Sequence, residues 1–186
     1  MKKLVCFGDS ITAQNSGYMT PRLTSILQQH LSGWFVLNEG VSGNTTRDAL
    51  ARIESDVLGQ EPDLVTVLFG SNDVAEHNKV TIEEYEENLR KIVSLIGPGK
   101  TILLTPPPVN EVLQTVRKNA MIESYARAVE RVACEKGAFV ISLFDLMVHE
   151  SNYQKMLKSE DGLHFSELGY TFVSKQILQT IQAEIH

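Results

Sequence analysis

The chain has 186 residues, enough for one domain with a sizeable core. It is 42% hydrophobic and 22% charged, and its net charge of −6 is spread over many short segments; with no basic stripe, nucleic acid is excluded as an expected partner. No run approaches the roughly 20 apolar residues of a membrane span, and the apolar run behind Met1-Lys2-Lys3 stops at Gly8-Asp9-Ser10, too soon for a signal peptide, so the expected compartment is the cytoplasm.

Strand-like and helix-like segments alternate along the chain. Residues 3–7 read as a first strand and residues 18–31 as a helix, with Leu23, Ile26, Leu27 and Leu31 at helical spacing. Residues 35–38 are a short strand. Residues 46–58 are a helix entered through Thr45 or Thr46 as cap. Residues 63–69 are nearly all apolar, the pattern of a strand covered on both faces. A helix over 81–96 ends at Gly97-Pro98-Gly99, and a strand over 101–105 ends at Pro106-Pro107-Pro108. A long helix over 114–136 stops at Gly137, and residues 139–142 form a fifth strand. A short helical stretch and a loop lead through Lys158 to a last helix over 166–185, with Ser166 as cap.

Five strands alternating with helices predict one α/β domain over residues 1–186, a three-layer α/β/α arrangement around a parallel sheet. The flavodoxin-like order 2-1-3-4-5 satisfies right-handed crossovers. Cys6 and Cys134 both lie in apolar segments and are expected as buried free thiols, which fits a reducing compartment.

In that order the first three strands are neighbours, so the loops after them meet at the switch point. These loops are Gly8-Asp9-Ser10, Asn38-Glu39-Gly40-Val41-Ser42-Gly43-Asn44 and Gly70-Ser71-Asn72-Asp73. Ser10 stands where a nucleophile would stand, although read alone it fits a turn or helix cap as well. Gly40 and Gly43 allow backbone to approach a ligand, although ordinary turn chemistry also uses them. Asn72 offers a neutral side-chain donor, or an Asx turn. The backbone N–H groups of Ser10 and Gly43 and the Asn72 amide could together hold an oxyanion. Asp73 reads as a cap or loop brace.

Near the C-terminus, Asp161-Gly162-Leu163-His164 puts a carboxylate three residues before an imidazole. A serine hydroxyl needs a base to take its proton, and a histidine base needs a carboxylate to hold its tautomer. Read alone, the pair also fits a loop histidine capping the last helix. His30, His77, His149 and His186 have no such neighbours and read as surface residues.

Gly8-Asp9-Ser10-Ile11, Gly40-x-Ser42-Gly43, Gly70-x-Asn72-Asp73 and Asp161-x-x-His164 together resemble the four blocks of the SGNH, or GDSL-type, hydrolases, in the family's order. Ile11 replaces the leucine of the family's name. The resemblance implies a flavodoxin-like fold and a serine esterase mechanism without metal or other cofactor. It implies Ser10 as nucleophile, His164 as base and Asp161 as the residue that orients it. Ser10, Gly43 and Asn72 would form the oxyanion hole. Gly8-Asp9-Ser10-Ile11-Thr12, Thr105-Pro106-Pro107-Pro108 and Asp161-Gly162-Leu163-His164 look most like the isoamyl acetate-hydrolysing esterase group, which implies a small ester with a short acyl chain as substrate. Read from its residues, the segment after strand 4, with Pro107, Pro108, Val109, Val112 and Leu113, fits the wall of an acyl pocket or a stiff connecting loop equally well.

The alternatives are a carbohydrate O-deacetylase with the same triad, a lysophospholipase-type acylhydrolase and a binding module without chemistry. Aromatic residues make up only 7% and are scattered, which gives a sugar few stacking faces. Thr12 stands where a Gly-x-Ser-x-Gly elbow needs its second glycine. No phosphate loop, dinucleotide fingerprint or zinc spacing is present. The sequence leaves assembly into a homo-oligomer open.

Overall fold

The computed structural model describes residues 1–184. Strands β1 (Lys2–Gly8), β2 (Trp34–Gly40), β3 (Leu64–Leu68), β4 (Thr101–Leu104) and β5 (Phe139–Ile141) form one parallel sheet in the order β2-β1-β3-β4-β5. The order is the expected one. Helices α1 (Ser10–Ala13), α2 (Arg22–His30), α3 (Thr46–Asp56), α4 (Ile82–Ile96), α5 (Asn119–Lys136), α6 (Leu143–Val148) and α7 (Glu167–Glu184) lie between and after the strands. Among the described residues, no helix is long and apolar enough to cross a membrane.

The two faces of the sheet bury two separate cores. Successive side chains of a strand point to opposite faces. Val5 and Phe7 of β1 therefore pack with Ala49, Leu89 and Val129 of α3, α4 and α5. Leu4 and Cys6 pack with Leu23 and Leu27 of α2 and Val173 and Ile177 of α7. All four β1 side chains have no exposed surface, so the strand reads as a continuous apolar run rather than an alternating one. Gly8 is level with Gly40 on one side and with Leu68 on the other. That register brings the loops after β1, β2 and β3 to the same edge, as the strand order requires.

Some local expectations give way. Helix α2 starts at Arg22 rather than at residue 18. Pro21 takes the cap position with φ −54° and ψ 130°, and Ser16 and Gly17 before it have positive φ. A residue before proline is pushed out of helical backbone, so the helix can begin only after Pro21. Helix α5 starts at Asn119 rather than at residue 114. Residues 110–118 form an irregular segment tied to the Asp161 loop: Asn110 N–H donates to Gly162 O (2.8 Å) and Gln114 Nε2 to Asp161 O (2.7 Å). Cys6 is fully buried, but Cys134 is exposed, contrary to expectation. At about 100° per residue, Cys134 sits far round α5 from Val132, whose side chain is buried. The expected helix end at Ile185 and the surface reading of His186 lie outside the described residues.

Candidate active site

The chain leaves β1 through a sharp turn. The Asp9 carboxylate accepts a hydrogen bond from Ile11 N–H (2.9 Å) and so caps α1, with Ser10 as its first residue. The Ser10 N–H therefore stands in the first helical turn, where no intrahelical acceptor exists. Tyr170 of α7 donates its buried hydroxyl to Ile11 O (2.8 Å), anchoring α1 from the far end of the chain.

Ser10 Oγ lies 2.9 Å from His164 Nε2, and His164 Nδ1 lies 2.6 Å from Asp161 Oδ2. The three residues thus form one hydrogen-bonded line across 154 positions of sequence. The other carboxylate oxygen, Oδ1, accepts from the backbone N–H groups of Leu163 (2.8 Å) and His164 (2.9 Å). The Asp161 carboxylate is thereby fixed at both oxygens. Burial works to raise its pKa, but the His164 ring and the two N–H donors prevail and hold it below the usual carboxylate value. Gly162 between the pair has φ +63°, a backbone that favours glycine, and Lys158 N–H closes the loop onto His164 O (2.7 Å).

The oxyanion candidates come from the other two loops. Gly43 has φ +84° and open space around the position of a Cβ. Asn72 Nδ2 donates to Asn44 O (3.0 Å) and has a long contact of 3.5 Å with Asp9 Oδ2. Asn72 is therefore a cross-loop tie and not an Asx turn. Asp73 is the brace expected of it: it is buried, and its Oδ1 accepts from Thr46 N–H (2.9 Å) and Thr46 Oγ1 (2.6 Å). Gly40 serves a purpose other than ligand approach. A Cβ there would stand 2.4 Å from Ala13 N, so the end of β2 lies directly against the backbone of α1.

Two buried carboxyls flank the site. Burial pushes the Asp9 carboxyl up to about 7; the Ile11 N–H and the Arg117 charge work against this, and the Asp73 charge adds to it. Burial also raises Asp73, against the two Thr46 bonds, and its Oδ2 has no hydrogen-bond partner.

The candidate acyl wall is divided. Pro106, Pro107, Pro108 and Val109 are buried and face inward, so only Val112 and Leu113 of that group are accessible. The segment still borders the site, because the position of a Cβ on Gly162 is 3.0 Å from Leu113 Cβ.

Sequence reasoning missed two arginines. Arg52 on α3 donates to Gly8 O (3.0 Å), Glu39 O (3.1 Å) and Asn44 Oδ1 (2.7 Å), and its guanidinium stacks over Phe7. It joins the ends of β1 and β2 to the Gly43-Asn44 turn. Arg117 is buried and donates to Ser71 O (2.6 Å), Asn72 Oδ1 (3.3 Å) and Gln114 Oε1 (3.2 Å). Their near neighbours, Asp56 for Arg52 and Gln114 for Arg117, do not point to the site, and most of the partners that do, Gly8, Glu39, Ser71 and Asn72, are distant in sequence.

Residues 6–172 match the model of the GDSL-like Lipase/Acylhydrolase family. The chain is 34% identical to the isoamyl acetate-hydrolyzing esterase 1 homolog of Bos taurus, over 98% of this chain and 82% of that protein. It is 29% identical to an acetylxylan esterase of Geobacillus stearothermophilus, over 98% and 95% of the two chains. A lipase/acylhydrolase from Enterococcus faecalis superposes with a TM-score of 0.93 at 32% identity, covering 98% of this chain and 96% of that one. Solved catalytic mutants of the acetylxylan esterase replace a serine, a histidine or an aspartate with alanine. The chain belongs to the GDSL-like lipase/acylhydrolase family and is a carboxylic ester hydrolase.

Proposed function

We propose that this enzyme hydrolyses small esters with short acyl chains through an acyl-enzyme on Ser10. The observation that carries the reading is the line Ser10 Oγ–His164 Nε2, His164 Nδ1–Asp161 Oδ2, at 2.9 and 2.6 Å. His164 takes the Ser10 proton as Oγ attacks the ester carbonyl, and Asp161 holds the tautomer that leaves Nε2 free to accept. The carbonyl oxygen becomes an oxyanion, held by the Ser10 and Gly43 N–H groups and the Asn72 amide. His164 then protonates the leaving alcohol. A water activated by the same imidazole attacks the acyl group, and Ser10 regains its proton as the acid leaves. Both the isoamyl acetate and the acetylxylan esterase relatives are named for acetyl esters, which supports a short acyl group.

The alcohol half decides between two versions of this reading. Exposed Val112, Leu113 and Val116 lie in the segment bordering the Asp161 loop and favour an alkyl alcohol. The acetylxylan esterase relative favours an O-acetylated carbohydrate. We take the compartment to be the cytoplasm, which the unpaired Cys6 and Cys134 support.

The test is hydrolysis of p-nitrophenyl esters from C2 to C12 by wild type and Ser10→Ala, with isoamyl acetate and acetylated xylo-oligosaccharides as competing natural-type substrates. Wild type is expected to prefer the shortest acyl chains, and Ser10→Ala to lose about 10⁴-fold or more. Equal activity of the two proteins would remove Ser10 from the mechanism. A rate that climbs towards C12 would replace the short-acyl reading with a lysophospholipase-type one.

A further inference from the structure

We propose that Arg117 is a positioning residue for the oxyanion hole: it sets the orientation of the Asn72 carboxamide and, through Gln114, ties it to the loop that carries Asp161 and His164. The proposal rests on the reading of Asn72 as an oxyanion donor.

A primary amide can turn over by 180° with little change in shape, which exchanges its oxygen and nitrogen. Asn72 can present an N–H to an oxyanion only in one of the two orientations. A guanidinium has donors and no acceptor, so the Asn72 atom that faces Arg117 must be Oδ1. Nδ2 must then face Asn44 O, to which it donates at 3.0 Å, and its second N–H makes only the long 3.5 Å contact with Asp9 Oδ2, which an oxyanion in the site would replace. In the turned amide, the nitrogen would meet the Arg117 donors and the oxygen would meet Asn44 O. Arg117 also holds the backbone beneath Asn72 through Ser71 O (2.6 Å). A cation bonded to Oδ1 further polarises the amide, which strengthens the opposite N–H as a donor.

The same guanidinium continues to the base. It donates to Gln114 Oε1 (3.2 Å), and Gln114 Nε2 donates to Asp161 O (2.7 Å). The chain of contacts Asn72–Arg117–Gln114–Asp161 links the oxyanion donor to the backbone carbonyl of the triad's aspartate without passing through Ser10. Every acceptor of Arg117 is a neutral oxygen. Burial disfavours the charge on Arg117, the Asp9 charge works the other way, and the guanidinium donors are used on those three oxygens. This cation is spent on two loops of the site.

The test is a double-mutant cycle on p-nitrophenyl acetate hydrolysis with wild type, Arg117→Met, Asn72→Ala and the double variant, and Ser10→Ala in parallel. Asn72→Ala is expected to lose about 100- to 1000-fold. Arg117→Met is expected to lose about 10- to 100-fold in kcat with KM unchanged, because the interaction matters in the transition state. In the Asn72→Ala background the same change is expected to cost less than about 3-fold, because there is no amide left to position. A loss of equal size in both backgrounds overturns the proposal and makes Arg117 a structural residue. So does full activity in Arg117→Met. If Arg117→Met does not fold, Arg117→Lys, which keeps the charge and loses the fork, takes its place in the same cycle. Activity retained in Ser10→Ala would sink the triad reading instead, and the two failures are told apart by which variant is silent.

Discussion

Asp9 precedes the nucleophile, is 1% exposed, and accepts one short hydrogen bond, from Ile11 N–H. Its carboxyl is pushed up to about 7 by burial, so between about pH 4 and 7 the folded protein holds a proton that the unfolded chain has released. Stability from this group is therefore full below the unfolded value and declines as pH rises towards 7. The raised Asp73 works in the same direction, while the Arg117 charge partly offsets the effect at Asp9. Asp161 acts with the opposite sign: its lowered pKa makes it stabilising above the unfolded carboxylate value, and that contribution disappears in acid. Asp9→Asn keeps an acceptor for Ile11 N–H and removes the titration. Urea unfolding of the two proteins from pH 5 to 7.5 is expected to show a smaller fall in stability for Asp9→Asn. Parallel curves would mean that Asp9 is ionised throughout. The residues legible in the sequence were those whose chemistry depends on local spacing, such as Asp161 and His164 within one turn. Arg52 and Arg117 were not legible, because most of the partners that tie them to the site lie 13 to 46 positions away and are brought to them by the fold.

At the scale of elements, the site depends on how closely β2 meets α1. The backbone of Ala13 and Thr12 fills the space that a Cβ on Gly40 would occupy, at 2.4 to 2.8 Å. Backbone cannot rotate away as a side chain can, so Gly40→Ala must push α1, and Ser10 with it. The expected outcome is a loss of about 2–3 kcal/mol in stability and at least a tenfold drop in kcat, measured by thermal unfolding and p-nitrophenyl acetate hydrolysis. Gly43→Ala meets open space and is strained only through its positive φ, about 1–2 kcal/mol. If Gly40→Ala proves no more harmful than Gly43→Ala, the close packing of β2 on α1 is wrong. Element type followed from apolar periodicity throughout. Element ends did not, and each miss has a local cause. Pro21 sits at the cap of α2 although the helix's leucines repeat correctly, and the segment before α5 is tied to other loops through Gln114 and Arg117.

Across the whole molecule, β1 is the central support: it pairs with β2 and β3, carries Ser10 from its end, and contributes to both cores. The strand order was readable because the alternation of strands and helices leaves few right-handed arrangements. The exposure of Cys134 was not readable, because an apolar neighbourhood in sequence does not say which side of a helix faces inward. The two cysteines now report on the fold as a unit. Cys134 is exposed on α5, whereas Cys6 is fully buried in β1 and burial pushes its thiol up to about 12, the Thr66 hydroxyl working the other way. A thiol on an interior strand, packed beneath α2 and α7, can react only when that helical layer leaves the sheet, and with both helices in one core this is expected to be global unfolding. A thiol-reactive aromatic disulfide is therefore expected to label one cysteine rapidly and the other at a rate that rises with urea as steeply as unfolding does. Cys134→Ala should abolish the fast phase and leave the slow one. A Cys6 that reacts at a rate independent of urea would show the α2 and α7 layer lifting from the sheet without global unfolding, and the face of β1 beneath it would then be a locally opening one.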